Sequence, residues 1–229
     1  MEFLPYIIAI IGGAFAGALN TLAGSGSAIT LTILTEVLGL SPNMANGTNR
    51  IGVFAQTFAG TIAFHKNDKL DLNRSWAYII PIIIGAIAGV LVAVWVSNEQ
   101  FKSVFSVLMV LILFVILVKP KRWLQPTDKT HQVNYWIGIP MFLALGFYGG
   151  FIQMGMGVFF LVAMVLVAKF GIIESNAIKA FVVAAYTIIV IAIFQWKGLI
   201  DWKLGLIMAI GQTIGGLSLI HISEPTRPY

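Results

Sequence analysis

Long apolar runs separated by short polar stretches dominate the chain and predict a protein built from helices. Most runs are about 20 residues long, the length that an α-helix needs to cross the hydrocarbon core of a bilayer. Short glycine-rich or polar segments divide the sequence into predicted helices near 4–22, 28–40, 44–65, 75–97, 100–118, 135–153, 157–170, 175–196 and 202–220. Two of them, 28–40 and 157–170, are short and follow glycine-rich breaks, which favours half-helices or re-entrant hairpins.

The order of these helices repeats along the chain at an offset of about 130 residues. Gly24-Ser25-Gly26-Ser27 corresponds to Gly155-Met156-Gly157-Val158, and the segment 45–49 corresponds to 175–179. Each half contributes an odd number of crossings, so the second copy enters the membrane from the opposite face. The sequence therefore predicts an all-α polytopic membrane protein with two inverted repeats, whose helices are discontinuous or re-entrant at the Gly-x-Gly breaks.

The repeat also divides the chain. Residues 1–118 are the expected first transmembrane repeat, 119–134 a basic cytoplasmic loop, and 135–216 the second repeat. Helix 100–118 should have a partner beyond the last residue, so we expect one helix to be missing. The segment 217–229 has no counterpart in the first half, and we interpret it as a non-native tail from sequencing-adapter read-through, with a genuine divergent tail as the alternative.

Composition supports the membrane interpretation. Hydrophobic residues make up 59% of the chain and charged residues 10%, whereas soluble domains are about half apolar and about a quarter charged. Too few polar residues are present to cover a surface in water, so we expect a multi-pass protein of the plasma membrane. The absence of cysteine excludes disulfides, thiolate catalysis and cysteine-ligated metals. The N-terminus lacks the basic region of a cleavable signal peptide.

The formal net charge of +5 reflects two basic loops, near 65–74 and 119–129. The helices between these loops place them on one side of the membrane, and the positive-inside rule makes that side cytoplasmic, with the N-terminus outside. Because the basic residues are confined to loops, they do not indicate binding to nucleic acid.

The first glycine-rich break is suited to holding an anion. Unpaired amides and the dipole at a helix N-terminus favour negative charge, and glycine allows a ligand to approach the backbone. Serine adds hydroxyl donors or caps the helix. The second break is less polar, so we expect it to contribute to the shape of the binding site more than to its polar contacts. Tight helix packing is the alternative role for both breaks. The candidate ligands here are Asn20, Gly24, Ser25, Gly26, Ser27, Gln153, Gly155 and Gly157.

The helices that follow the breaks each carry a cation inside an apolar segment. A charge in the hydrocarbon is costly, and it usually faces a cavity, a counter-ion or a substrate. One cation in each half, on the same helix face as an asparagine, indicates an anion site. The alternative is that the long side chains reach the membrane interface. The candidate ligands on these helices are Asn46, Thr48, Asn49, Arg50, Asn176 and Lys179.

The remaining polar residues indicate no catalytic chemistry. Glu36 and Glu174 either relay protons or lie at interfaces, and Asp71 and Asp201 occupy matching loop positions that suit helix caps. No histidines stand at metal-ligand spacing. No nucleophile–base pair is recognisable either. We therefore expect neither a metal nor another cofactor, and no enzymatic activity.

Several motifs together resemble the sulfite exporter TauE/SafE permease family. They are Ala16-Gly17-Ala18-Leu19-Asn20-Thr21-Leu22-Ala23-Gly24-Ser25-Gly26-Ser27, Leu40-Ser41-Pro42, Ala45-Asn46-Gly47-Thr48-Asn49-Arg50, Gly149-Gly150-Phe151-Ile152-Gln153-Met154-Gly155 and Asn176-Ala177-Ile178-Lys179. The resemblance covers about residues 5–217. It implies a plasma-membrane permease of two repeated halves that needs no prosthetic group and moves sulfite, sulfonates or related organosulfur anions.

The leading hypothesis from the sequence is a secondary transporter of a small anion, bound by the candidate ligands and exchanged by rocking of the two halves. An anion channel and a non-transporting membrane assembly factor are the alternatives. The expected partners are a small anionic substrate and the lipid bilayer, without nucleic acid. Self-association into a homo-oligomer stays open.

Overall fold

The computed structural model describes residues 4–72, 75–117, 126–128, 131 and 133–222, and within these ranges it contains helices and connecting turns without a strand. The helices are α1 (Leu4–Ala23), α2 (Gly26–Val37), α3 (Pro42–Lys66), α4 (Trp76–Ala93), α5 (Asn98–Leu117), α6 (Tyr135–Phe151), α7 (Met156–Val167), α8 (Ile172–Trp196) and α9 (Trp202–Ile222). Most of the predicted basic loop 119–134, and residues 223–229 of the predicted tail, lie outside the described residues.

The helices predicted from the apolar runs are confirmed, with small differences at their ends. The largest is at α4, which ends at Ala93, four residues earlier than predicted, and the two short helices each end three residues earlier. Both finish in a π-helical turn, Ile33–Val37 in α2 and Ala163–Val167 in α7. Two residues later the backbone is left-handed, at Gly39 (φ 71°) and Lys169 (φ 60°), a conformation that ends helices.

Four helices are long and apolar enough to cross a membrane, judged by length and composition: Leu4–Leu22, Trp76–Ala93, Ile172–Trp196 and Trp202–Ile220. Their outer faces carry exposed large apolar side chains, such as Ile11, Ile84 and Ile188. At 12 residues, α2 and α7 extend only about 18 Å, short of the roughly 30 Å hydrocarbon core. The chain is therefore an all-α, multi-pass membrane protein.

The packing of the helices follows the repeat. The bounds of α2 and α7 differ by 130 residues, and so do those of α3 and α8. Helix α1 packs along α9, and its counterpart α6 packs along α4, while α3 packs against α8. Each of these contacts joins one half to the other. The inversion of the repeats across the bilayer and the division of the chain into domains stay predictions.

Glycines bring the paired helices close together at two equivalent contacts, α4 with α6 and α9 with α1, which we call the glycine seams. An added Cβ on Gly85 of α4 would overlap the Leu143 carbonyl of α6, and one on Gly215 of α9 would overlap the Ala14 carbonyl of α1. Small residues allow such close approach of backbones within a membrane. These seams fix how α1 and α6 stand relative to the partner half, and so where their C-terminal ends lie.

Candidate functional site

The two Gly-x-Gly breaks touch each other through backbone atoms. An added Cβ on Gly157 would overlap the Gly24 Cα and lie 3.1 Å from the Gly24 carbonyl oxygen. One on Gly24 would lie 2.7 Å from the Val158 nitrogen. The glycines at this crossing thus allow close helix approach, as in the alternative that the sequence left open, and their role as substrate ligands stays a prediction.

Arg50 is fully buried and holds the C-terminal end of α6. Its Nη1 donates to the carbonyl of Gly149 at 2.6 Å and to the Gln153 side-chain oxygen. Its Nη2 donates to the carbonyl of Gly150 at 3.0 Å and to Asn46 Oδ1 at 3.2 Å. The last carbonyls of a helix have no partner inside the helix and form its negative end. Arg50 therefore caps α6 from the other half of the chain.

The same contacts hold the second break in a strained conformation. Gln153 has φ 61°, a costly left-handed value for a residue with a side chain. Gly155, at φ 68°, precedes α7. Asn46 Nδ2 donates to the Phe151 carbonyl at 2.8 Å. Asn46 and Arg50 of α3 thus fix the chain on both sides of the end of α6.

Lys179 makes the equivalent contact in the opposite direction. It lies on α8 with 7% of its surface exposed. Its Nζ donates to the carbonyls of Asn20 at 3.2 Å and Thr21 at 3.4 Å, both in the last turn of α1. Each half therefore places a cation on the C-terminal carbonyls of the other half's first helix.

Neither buried cation forms a salt bridge with a carboxylate in the described part of the chain. The negative end of a helix is equivalent to about half an elementary charge. Each of the two basic side chains thus faces only the partial negative charge of a helix end.

A small cavity of about 20 Å³, lined by polar and apolar side chains, lies beside Lys179. A cavity needs about 10–15 Å³ to hold one water molecule, so this one has room for a single water. Its lining comes from α1, α3, α8 and α9, and consists of Asn20, Thr21, Gln56, Thr57, Gly60, Phe64, Asn176, Lys179, Ala180 and Ile220. Three of the predicted ligands, from both halves, are thereby brought together.

The amides around this cavity are unequally satisfied, and Gln56 Nε2 uses one of its hydrogens on the Gly17 carbonyl at 2.9 Å. Asn20 Nδ2 donates to Gln56 Oε1 at 3.2 Å, and Gln56 Nε2 donates to Thr21 Oγ1 at 3.1 Å. The buried Oδ1 of Asn176 has no hydrogen-bond partner among the described residues. The cavity thus presents an ammonium group, amide groups and hydroxyl oxygens to a small polar ligand.

Asn49 lies in a separate buried cluster. Its Oδ1 accepts from Thr30 Oγ1 at 2.6 Å and from Gln212 Nε2 at 3.4 Å. Its Nδ2 is buried, and no group in the described ranges accepts a hydrogen bond from it. Asn49 is the counterpart of Lys179 in the repeat, yet it faces α2 and α9 instead of a helix end. The two halves are therefore not chemically equivalent, as the sequence predicted for their breaks.

The other predicted ligands occupy structural positions. Thr48 Oγ1 accepts from the Asp201 backbone nitrogen at 2.9 Å. Ser25 precedes α2 without a side-chain cap bond, although such a cap was one alternative for it. An added Cβ on Gly26 would overlap the Ala16 carbonyl, and the buried Ser27 accepts a bond from Thr30 through its carbonyl at 3.2 Å. Their roles as substrate ligands stay predictions.

No acidic residue is among the described residues that line the cavity. Glu174 accepts from the Thr127 hydroxyl, which in turn accepts from the Gly171 backbone nitrogen at 2.8 Å. This arrangement favours an interface position for Glu174 over a proton relay. Asp201 Oδ1 accepts from the Leu204 nitrogen at 2.9 Å, which confirms its predicted role as a helix cap.

Sequence reasoning missed Thr21, Thr30, Thr57 and Gln212. Gln212 is 2% exposed and lies in the middle of an apolar helix, which is the signal that could have identified it, because an amide inside a membrane segment usually has a polar partner. Threonines give a weaker signal, since their hydroxyls also bond to the backbone of their own helix. Thr57, for example, donates to Val53 at 2.7 Å.

Comparison with known proteins gives consistent matches. The chain matches the family described as sulfite exporter TauE/SafE over residues 9–223. It is 25% identical to the probable membrane transporter protein ORF9 of Sinorhizobium sp. over 87% of this chain and 76% of that protein. It is 26% identical to YfcA of Escherichia coli K12, over 87% and 74%, and to YjnA of Bacillus subtilis 168, over 96% and 91%. Both are also called probable membrane transporter proteins. No solved structure matches the chain significantly.

Proposed function

Because the chain belongs to the sulfite exporter TauE/SafE family of membrane proteins, we propose that it is a secondary transporter of a small oxyanion. The substrate class is sulfite, a sulfonate or a related organosulfur anion. The chain is a multi-pass protein of the plasma membrane. In this proposal it binds and releases its substrate without catalysing a reaction, and its partners are the anion and the surrounding lipid.

The observation that carries the proposal is the buried amino group of Lys179, which borders a small cavity and has no carboxylate partner in the described part of the chain. A buried cation is costly unless it is paired or hydrogen-bonded. Lys179 has two carbonyl acceptors and no carboxylate partner in the portion of the chain that the structure describes. A small anion would supply the missing negative charge.

The proposed ligands are Lys179, Asn20 and Asn176, and Gln56 orients Asn20 by accepting a hydrogen bond from it. An ammonium group attracts the anion, while amide nitrogens donate to its oxygens. A sulfur oxyanion has at least four non-hydrogen atoms and is larger than one water. The cavity of about 20 Å³ must therefore widen to bind it. Movement of one half against the other provides such a change in transporters built from repeats.

Arg50 has a different role in this proposal. Its two terminal nitrogens already donate to Gly149, Gly150, Gln153 and Asn46. We assign it the positioning of the second break instead of direct contact with the anion. The touching glycines 24 and 157 would likewise form the crossing point about which the halves move.

Sulfite flux into proteoliposomes tests the proposal, with Lys179→Met as the test variant. Lys203→Met is the matched control, since Lys203 is exposed on the first turn of α9 and donates to the Tyr6 hydroxyl at 2.9 Å. Loss of a charge-assisted hydrogen bond costs about 1.5–3 kcal/mol, or about 10- to 100-fold in affinity. We expect saturable flux in the wild type and the control, and a Lys179→Met KM raised by about 10-fold or more.

The control experiment is thermal unfolding of each variant, which separates loss of binding from loss of fold. Unchanged flux in a folded Lys179→Met variant would contradict the proposed site. Flux that does not saturate, at rates far above those of a carrier, would favour a channel. A folded wild type that moves neither sulfite nor a sulfonate would favour the non-transporting alternative.

A further inference from the structure

The two buried cations differ in the chemistry that matters for coupling. An arginine keeps its charge at all physiological pH values, whereas a buried lysine can release its proton. Arg50 is fixed by four acceptors. Lys179 has two acceptors at 3.2 and 3.4 Å and borders a cavity with room for one water. Only Lys179 combines a removable proton with space for the water that would carry it away.

We propose that Lys179 is the proton-binding site of the transporter, so that one proton moves in the same direction as each anion. This inference rests on the proposed function and adds its coupling ion. The amine takes one proton from water on the loading side and becomes an ammonium group that binds the anion. On the release side the anion leaves, the ammonium returns one proton to water, and the N–H bonding pair stays on nitrogen as a lone pair.

The electrostatics of the interior favour this cycle. An unpaired charge is costly in a low-dielectric environment, and a neutral or paired group is much less so. With a bound monoanion, the charged Lys179 forms a neutral pair. Without the anion, a neutral amine can still donate to the carbonyl of Asn20 or Thr21. The halves would move in two states, one with the anion bound to charged Lys179 and one with neutral Lys179 alone. Neither state leaves an uncompensated charge at this position.

No competing proton carrier lines the cavity. The described lining residues from α1, α3, α8 and α9 include no titratable group other than Lys179. The next titratable residues along α3, His65 and Lys66, are exposed at the end of that helix. Among the described acidic residues of the neighbouring turns, Glu174 bonds to Thr127 and Asp201 to Leu204. The proton that binds at this site is therefore assigned to Lys179.

The test compares anion exchange with accumulation driven by a pH gradient, using the full chain in proteoliposomes. Methanesulfonate is the radiolabelled probe, because it is the anion of a strong acid and cannot itself carry a proton. Lys179→Arg keeps the positive charge but not the removable proton. Lys203→Arg is the matched control at an exposed position. An internal pH-sensitive dye reports proton movement.

For the wild type and the control, we expect an acidic exterior to drive about tenfold accumulation for each pH unit, since one unit corresponds to about 1.4 kcal/mol. About one proton should enter with each anion. For Lys179→Arg, we expect the accumulation driven by the pH gradient and the proton signal to disappear, because the guanidinium keeps its proton. Persistent pH-driven accumulation in this variant would overturn the inference.

The wild type alone also decides the question if Lys179→Arg loses exchange. Anion uptake accompanied by about one proton supports the assignment of a coupled proton, and saturable uptake without proton movement overturns it. If the wild type transports sulfite but not methanesulfonate, sulfite uptake is measured at several pH values instead. Sulfite uptake that does not depend on the pH gradient overturns the inference. A folded wild type that moves no anion contradicts the proposed function itself. This outcome is therefore distinguishable from failure of the proton-coupling inference alone.

Discussion

Replacing Gly157 with alanine would test whether the two Gly-x-Gly breaks touch. The new Cβ would overlap the Gly24 Cα and lie 3.1 Å from the Gly24 oxygen and 3.2 Å from its carbonyl carbon. Favourable separations between carbon atoms are about 3.5–4.0 Å. The obstacle is backbone, so no side-chain rotation relieves it. The end of α1 and the start of α7 must move apart.

The expected cost combines two opposing effects. Alanine is favoured over glycine inside a helix by about 1 kcal/mol, and Gly157 lies in α7. Overpacking a close contact costs about 1–3 kcal/mol, and a backbone obstacle favours the upper part of that range. The net loss in unfolding free energy is about 1–2 kcal/mol. With about 2–4 °C per kcal/mol for a chain of this size, the melting temperature should fall by about 2–8 °C.

Thermal unfolding in detergent, followed by tryptophan fluorescence, measures this change. Gly138→Ala is the control: Gly138 also lies in a helix, and its added Cβ would meet only the Val133 side chain, 3.0 Å away, which can rotate. We expect the control to be as stable as the wild type or slightly more so. Equal stability of the two variants would refute the contact between the breaks. Weakened anion binding at unchanged stability would instead indicate that Gly157 lets the substrate approach the backbone.

Three further predictions concern the surroundings of the site. Arg50→Met would leave the α6 carbonyls without their donor at about 1–3 kcal/mol for each unsatisfied group, so we expect little monodisperse protein in size-exclusion chromatography; a normal yield would contradict the capping role. Thr48→Val should remove the acceptor for the Asp201 nitrogen and lower the unfolding free energy by about 1 kcal/mol with the KM for the anion unchanged, whereas a raised KM would place Thr48 among the ligands. Asn176→Cys gives a single cysteine, because the chain contains no other; a small maleimide should label it, and methanesulfonate should slow the labelling, while labelling indifferent to the anion would exclude Asn176 from the site.

The helices could be predicted from the sequence because the membrane imposes a strong pattern on it. Apolar runs bounded by polar or glycine-rich stretches located each helix that the structure describes, and the offset of 130 residues matched α2 to α7 and α3 to α8. The ends of the short helices could not be predicted, since the π-helical turns at 33–37 and 163–167 depend on packing. Lys169 is also an unusual residue for a left-handed position.

The site was less predictable, because its main acceptors are backbone carbonyls. Every residue carries a carbonyl, so no sequence pattern indicates that Arg50 reaches Gly149 or that Lys179 reaches Asn20. Those contacts depend on how α1 and α6 pack against the opposite half. The sequence did predict that each half places one cation in the interior. It could not distinguish ligand approach from close packing at the glycines, which needs the distance between the two breaks.

Arg50 caps the end of α6 and Lys179 caps the end of α1, each from the opposite half. The strength of these two contacts determines which of them opens more easily. Movement of one half against the other, as proposed, must separate a cation from the helix end that it caps. At Arg50 this breaks hydrogen bonds to two carbonyls and to Gln153, and frees a strained segment. At Lys179 it breaks two longer bonds beside a cavity that admits water, and an incoming anion replaces them. Since substrate binding supplies new partners only at Lys179, opening should begin there, and Arg50 should stay bound to α6.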